Sequence, residues 1–169
     1  MKYIYFNILK KYGIVSECPT WYSKSEIKPM YENDQICLLW DIPEFMGYDD
    51  EDDSKVLRPD GKLIFKQERK VMILEMSVPW IQNRESKLAE KELKYRELIP
   101  KTMEMYPNYT CEQATFIIDC LGGYSSSYVD ALKKVGLTER ECKQIIRNTQ
   151  KIVVTEGRSI MNKFKMLAK

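Results

Sequence analysis

Two carboxylates, Asp60 and Glu75, flank a predicted β-hairpin in the segment RPDGKLIFKQERKVMILEMSVPW. Asp60 opens the first strand, and Glu75 lies toward the far end of the second strand, which runs back antiparallel to it. Because the start of one hairpin strand lies beside the end of its partner, the two carboxylates are expected to converge. Paired carboxylates suit Mg²⁺ or Mn²⁺, and such an ion can activate water and stabilise charge on a phosphate during in-line attack.

Glu75 is the most informative single residue, because it is the lone acid in the apolar run VMILEMSV. A buried carboxylate without a partner would be costly, so either a basic side chain or a metal ion must satisfy it. The residues alone leave a structural salt bridge and a metal site both open. Asp60 is less specific, because Arg-Pro-Asp is also ordinary turn chemistry. Asp41 is a candidate additional acid, although burial in its own strand is an equal alternative.

The absence of histidine from all 169 residues narrows the chemistry further. A Ser-His-Asp triad, a Cys-His protease and a histidine-ligated zinc enzyme are excluded, and carboxylate, lysine and tyrosine chemistry remains. Five scattered cysteines, with no C-x-x-C pair, favour free thiols in a reducing compartment over a zinc knuckle or a disulfide framework. The chain has no apolar run long enough to span a membrane and no signal-peptide pattern, so it is predicted to be intracellular.

The elements that must position these residues follow from hydrophobic spacing and from turn residues. The patterns predict an amphipathic helix over 3–12, strands over 36–42, 63–65 and 71–78, a helix over 83–98 ended by Pro100 or Pro107, a strand over 110–121, and helices over 126–135 and 139–166. Thr138 and Glu141 form a predicted capping box at the start of the last helix. This order predicts an α/β fold with a small mixed β-sheet flanked by helices. The length suits a single domain over 1–169, with a helical C-terminal extension at about 124–169.

Charge is unevenly distributed along the chain. Residues 31–60 hold ten acids and two bases, including the stretch YDDEDDS, which is predicted to be a solvated loop. Residues 128–169 hold ten bases and four acids. On the last helix, four bases are predicted to contact a nucleic-acid backbone: Lys143, Arg147, Lys151 and Arg158. An ordinary solvated helix face is the alternative, and the three tryptophans are interpreted as core or site-wall residues rather than as base-stacking platforms.

Five blocks in a fixed order carry a resemblance to a known family. They are WDIP at 40–43, RPD at 58–60, LEMSVPW at 74–80, KELKY at 91–95 and IIDCLGG at 117–123. In this order they resemble the PD-(D/E)xK nuclease superfamily. More closely, the chain resembles the restriction-enzyme-like endonuclease domain at the C-terminus of non-LTR retrotransposon polyproteins. The resemblance covers roughly residues 2–165, and it implies a restriction-endonuclease-like core.

The resemblance also implies an activity and a set of site residues. It implies a metal-dependent DNA endonuclease that nicks a target site, so that the 3′ hydroxyl primes reverse transcription. Many nucleases of the superfamily carry a lysine at the position of Ser77, whereas the retrotransposon domains supply it from the following helix. Lys87, Lys91, Lys94 and Tyr95 share one face of that helix, and of these Lys91 and Lys94, with Tyr95, are the expected catalytic partners of Asp60 and Glu75. A solvated Glu/Lys helix face is the alternative for these lysines.

The partners and location implied are those of a retrotransposon nuclease. DNA is the expected partner, with the element's RNA and a reverse transcriptase of the same polyprotein as further candidates, and the expected location is the nucleus. No membrane partner is expected. The alternative function is a catalytically inactive nuclease-fold module that binds nucleic acid or protein.

Overall fold

The structure is a computed structural model that describes residues 1–23, 26–46 and 56–167. Its helices are α1 (Lys2–Lys11), α2 (Arg84–Lys94), α3 (Leu98–Met105), α4 (Ser126–Lys134) and α5 (Glu139–Leu167), with one 3₁₀ turn at Ile81–Asn83. Its strands are β1 (Met30–Glu32), β2 (Ile36–Trp40), β3 (Glu44–Phe45), β4 (Val56–Leu57), β5 (Gly61–Phe65), β6 (Lys70–Ser77) and β7 (Thr110–Ile117). The α/β fold class predicted from the sequence is confirmed.

The main sheet has the strand order β1-β2-β5-β6-β7. Strands β1, β2, β5 and β6 pair antiparallel, whereas β6 and β7 pair parallel, so the sheet is mixed as expected. The parallel pair needs a long crossover connection, and α2 and α3 provide it. In the β5-β6 hairpin, Gly61 pairs with Leu74, so Asp60 and Glu75 come next in register.

Successive side chains of the central strands pack into two apolar layers, one on each face of the sheet. Met72 and Leu74 of β6 join the larger core, which also includes buried residues of α1, α4 and α5. Ile73, between them, packs on the opposite face with Tyr95 and Leu98. Since side chains alternate along a strand, Glu75 lies on the Ile73 face, which is the face that α2 covers.

The predicted helix over 83–98 is divided in the structure. It ends at Lys94, and after a break at residues 95–97 the chain enters α3 at Leu98. Neither predicted proline stop was right, because Pro100 lies within the first turn of α3. A proline is tolerated there, since the first N–H groups of a helix have no partner within the helix.

Two strands are shorter than expected, while the last helices match. Strand β2 ends at Trp40 because Asp41 adopts a left-handed backbone conformation, with φ of 52°. Strand β7 ends at Ile117, before a turn around Asp119. At the start of α5 the capping box is present: Glu141 Oε2 accepts from the Thr138 backbone N–H at 2.7 Å.

Three further expectations concern cysteines, membrane spans and the acidic stretch. All five cysteines are free thiols. Within the described ranges, no helix is both long and apolar enough to cross a membrane. The acidic stretch YDDEDDS falls outside the described residues.

Candidate active site

Asp60 and Glu75 are brought together by the hairpin, and each is held by the backbone of the opposite strand. The Met76 N–H donates to Asp60 Oδ2 at 2.7 Å, and the Asp60 N–H donates to Glu75 Oε2 at 3.4 Å. Glu75 is buried and Asp60 is half-buried. The hairpin register therefore fixes both carboxylates at one end of the β5-β6 ladder.

The electrostatics of this pair disfavour two negative charges. Burial raises the pKa of the Asp60 carboxyl, and the neighbouring charge of Glu75 raises it further. The Met76 N–H and the ammonium of Lys91 act in the opposite direction. A cation that both carboxylates can contact would stabilise their ionised forms.

Lys91 supplies a cation to Glu75. Its side chain extends from the last turn of α2, and its Nζ contacts Glu75 Oε1 in a close ion pair in which both partners are largely buried. Of the two alternatives for Glu75, the structure therefore shows the basic partner. The contact places Lys91 beside Glu75, one of the two residues with which it was expected to act.

The carboxylates retain atoms that could contact a divalent ion. Among the described residues, no hydrogen bond reaches Asp60 Oδ1, and the Asp60 N–H reaches Glu75 Oε2 at a long 3.4 Å. No group of three or more acidic or thiol side chains suited to a metal is found in the described ranges. Mg²⁺ is commonly held by one or two carboxylates, with water and substrate phosphate oxygens completing its octahedron, so this pair fits it.

Tyr95 and Lys94 form a second layer behind Glu75. The Tyr95 hydroxyl donates to the Arg58 carbonyl at 2.9 Å and accepts from Lys94 Nζ at 2.9 Å. Burial raises the pKa of Tyr95, and the Glu75 carboxylate raises it further, so the phenol stays protonated. Tyr95 is therefore a proton donor rather than a base, and its bond to Arg58 fixes the segment that carries Asp60.

Other sequence candidates lie away from the carboxylates. Asp41 pairs with Arg58 at 2.7 Å, and both side chains are largely exposed, so Asp41 does not join the pair as an additional acid. On α2, Lys87 pairs with Glu90 at 2.7 Å on the solvent side.

Asp119 is a structural residue that the sequence reasoning did not single out. Its buried carboxylate accepts from the backbone N–H groups of Leu121 and Gly123, each at 2.9 Å, and lies 3.5 Å from Arg84 Nε. It thereby ties the turn after β7 to the start of α2. The signal was present as an aspartate followed closely by Gly-Gly, which is typical of an aspartate-stabilised turn.

A pocket of about 550 Å³ opens beside Asp60. It is bounded by Met76 of β6, by Val78 just after that strand, and by residues of α5, among them Glu156 and Ile160. The sequence did not predict that α5 lines this pocket, because a helical pattern does not show which distant strand the helix will pack against. Asp60 lines this pocket, whereas Glu75 and Lys91 do not, so the pocket gives a phosphate access to the Asp60 side of the pair.

The predicted nucleic-acid contacts on α5 lie mostly elsewhere. Lys143, Arg147, Lys151 and Arg158 are all exposed, and Lys143 pairs with Glu139 at 2.9 Å. At 3.6 residues per turn, these four bases fall on a side of α5 roughly opposite to the residues that line the Asp60 pocket. The structure therefore does not bring Lys143, Arg147 or Lys151 to the carboxylates, whereas Arg158 lines a groove next to the pocket.

The tryptophans differ in their surroundings. Trp40 packs edge-on against Tyr5, with ring centroids 4.8 Å apart, as a wall of the larger core. Trp21 is exposed beside Tyr22, contrary to the core interpretation. Trp80 is 68% exposed and lines a groove next to the Asp60 pocket.

The fold and the site together define an α/β protein with a cluster of two carboxylates and one lysine, of which Asp60 lines a pocket. The arrangement is compatible with a restriction-endonuclease-like core. No protein-family model, curated protein or solved structure matches this chain.

Proposed function

We propose that this protein is a metal-dependent DNA endonuclease of the PD-(D/E)xK type. The observation that carries the proposal is the convergence of Asp60, Glu75 and Lys91, from the β5-β6 hairpin and α2, with Asp60 lining an open pocket. Two carboxylates that hold a divalent ion, with a lysine beside them, can support phosphodiester hydrolysis without histidine. The five ordered sequence blocks support the same class.

Asp60 and Glu75 are the residues that would hold Mg²⁺ or Mn²⁺. When bound, the ion supplies Lewis-acid activation of water and of the phosphate. The Lys91 ammonium, beside Glu75, is placed to orient water and to offset charge that develops on the phosphate. Tyr95 and Lys94 act as positioning residues, because they contact the site through the Arg58 carbonyl and through one another.

The biological setting we propose follows from the resemblance to retrotransposon nucleases. The nick would leave a 3′ hydroxyl that primes reverse transcription of the element's RNA at the target site. DNA would then be the substrate, the element RNA and a reverse transcriptase would be partners, and the nucleus would be the location.

The test is a nicking assay on supercoiled plasmid with Mg²⁺, Mn²⁺ or EDTA. Wild type is expected to convert the plasmid to open circles only with the divalent ion, and Asp60→Ala and Glu75→Ala are expected to abolish this. Glu92→Ala removes an exposed acid of α2 that lines neither the pocket nor the neighbouring groove, so it serves as the matched control and should keep wild-type activity. Circular dichroism checks that each variant is folded. Equal inertness of wild type and both site variants would reject the nuclease assignment.

A catalytically inactive nuclease-fold module is the second candidate. It is favoured by the Lys91–Glu75 ion pair, which neutralises the buried glutamate without a metal. Isothermal titration with Mg²⁺ separates the two candidates. An endonuclease should bind the ion in a way that Asp60→Asn weakens, whereas an inactive module should show no site-dependent binding.

A further inference from the structure

A large groove lies beside the Asp60 pocket, between α5 and the segment that follows β6. Its volume is about 1030 Å³, at the top of the range for sites that enclose a drug-sized ligand. Trp80 and Leu121 line it and are about two-thirds exposed, and Ile160 and Met161 of α5 add further apolar surface. Such a contiguous apolar surface indicates a binding site.

The groove is also basic. Arg158 and Lys165 line it from α5, and among the described residues neither has an ion-pair partner. Its remaining lysine and its one acid, Lys87 and Glu90, neutralise each other at 2.7 Å. The occupant should therefore combine negative charge with flat apolar surface.

The groove is continuous with the candidate active site. Val78, Cys120, Gly157 and Ile160 border both the groove and the pocket that contains Asp60. Trp80 follows Glu75 by five residues, so even an extended chain would separate them by roughly 17 Å, a span of a few nucleotides. A strand whose phosphate lies at Asp60 can therefore continue into the groove.

We propose that the groove binds an unpaired segment of the DNA strand next to the phosphate that is cut. One base stacks on Trp80, and backbone phosphates contact Arg158 and Lys165. A single strand fits better than a duplex because its base faces are free to cover the apolar wall, whereas a duplex hides them within its stack. The assignment of the flanking strand depends on the proposed nuclease function.

The test measures binding without cleavage. Fluorescein-labelled dT₁₂ and a 12-base-pair duplex are titrated in EDTA, with anisotropy and tryptophan fluorescence as readouts. Wild type should bind dT₁₂ more tightly than the duplex, with quenching of tryptophan emission. Trp80→Ala should weaken dT₁₂ binding roughly tenfold or more, and Trp80→Phe, which keeps a stacking ring, should retain most of the affinity but lose the quenching.

Two matched controls isolate the groove. Trp21→Phe removes another exposed tryptophan and should leave both affinity and quenching in place. Arg158→Ala should weaken dT₁₂ binding and flatten its salt dependence, whereas Lys66→Ala, on a lysine that is paired with Glu32 and lies outside both the groove and α5, should do neither.

Several results would overturn the proposal. One is dT₁₂ affinity that is unchanged in Trp80→Ala and Arg158→Ala, and another is a preference of wild type for the duplex. Sedimentation that shows a wild-type dimer dissociated by Trp80→Ala, with DNA affinity unchanged, would assign the groove to a second copy of the chain. Trp80-dependent binding by a protein that fails to nick plasmid would reject the nuclease function and keep the single-strand site.

Discussion

Lys91 is expected to stabilise the metal-free fold by neutralising Glu75. Lys91→Met keeps most of the aliphatic side chain and removes the charge, so it tests the ion pair rather than the packing. The side chains of Lys91 and Glu75 are 17% and 7% exposed, so the pair is shielded from water. Removing one partner of a buried pair costs about 3–5 kcal/mol.

The lower end, about 3 kcal/mol, applies because the Asp60 N–H still reaches Glu75 at 3.4 Å. For a chain of this length, that loss lowers the melting temperature by about 6–12 °C. Urea unfolding at pH 7 in EDTA, followed by circular dichroism, measures it directly.

The matched control is Lys87→Met, one turn earlier on α2. Its ion pair with Glu90 is more exposed, with side chains 33% and 57% accessible, so its loss should cost no more than about 0.5 kcal/mol. Adding Glu75→Gln to Lys91→Met should recover much of the stability, because no buried charge then lacks a partner. Millimolar Mg²⁺ should raise the melting temperature of Lys91→Met more than that of wild type, since it offsets the uncompensated carboxylates. The reasoning is refuted if Lys91→Met costs no more than Lys87→Met.

Two further predictions concern pH and salt. Because the folded-state pKa of Asp60 is raised, its contribution to stability is present at acid pH and lost as pH rises through that pKa. Without metal, the free energy of unfolding of Asp60→Asn, measured with urea, should therefore rise relative to that of wild type between pH 3 and pH 7. A difference between the two proteins that does not change with pH would contradict this. Mg²⁺ should raise the free energy of unfolding of wild type only. If the α5 stripe contacts phosphates, Arg147→Ala with Lys151→Ala should reduce the slope of log K against log salt for a DNA duplex by about 1.8, and an unchanged slope would favour a solvated face.

Much of the fold could be predicted because local signals and tertiary packing agree. Apolar runs on either side of a polar turn predict the β5-β6 hairpin, and a threonine followed by a glutamate three residues later predicts the capping box at Thr138. The errors fall where packing overrides local signals. The helix over 83–98 breaks after Lys94 so that Tyr95 can be buried against Ile73, and no helical periodicity shows this.

For the site, the sequence by itself determined the absence of histidine chemistry and the hairpin spacing that makes Asp60 and Glu75 converge. Strand register depends on residues close in sequence, so it can be read locally. Only the tertiary structure decided that Lys91 contacts Glu75, that Lys94 contacts Tyr95, and that α5 forms the wall of the pocket. These contacts depend on how separate elements dock, and docking is set by the shape of the whole core rather than by any one segment.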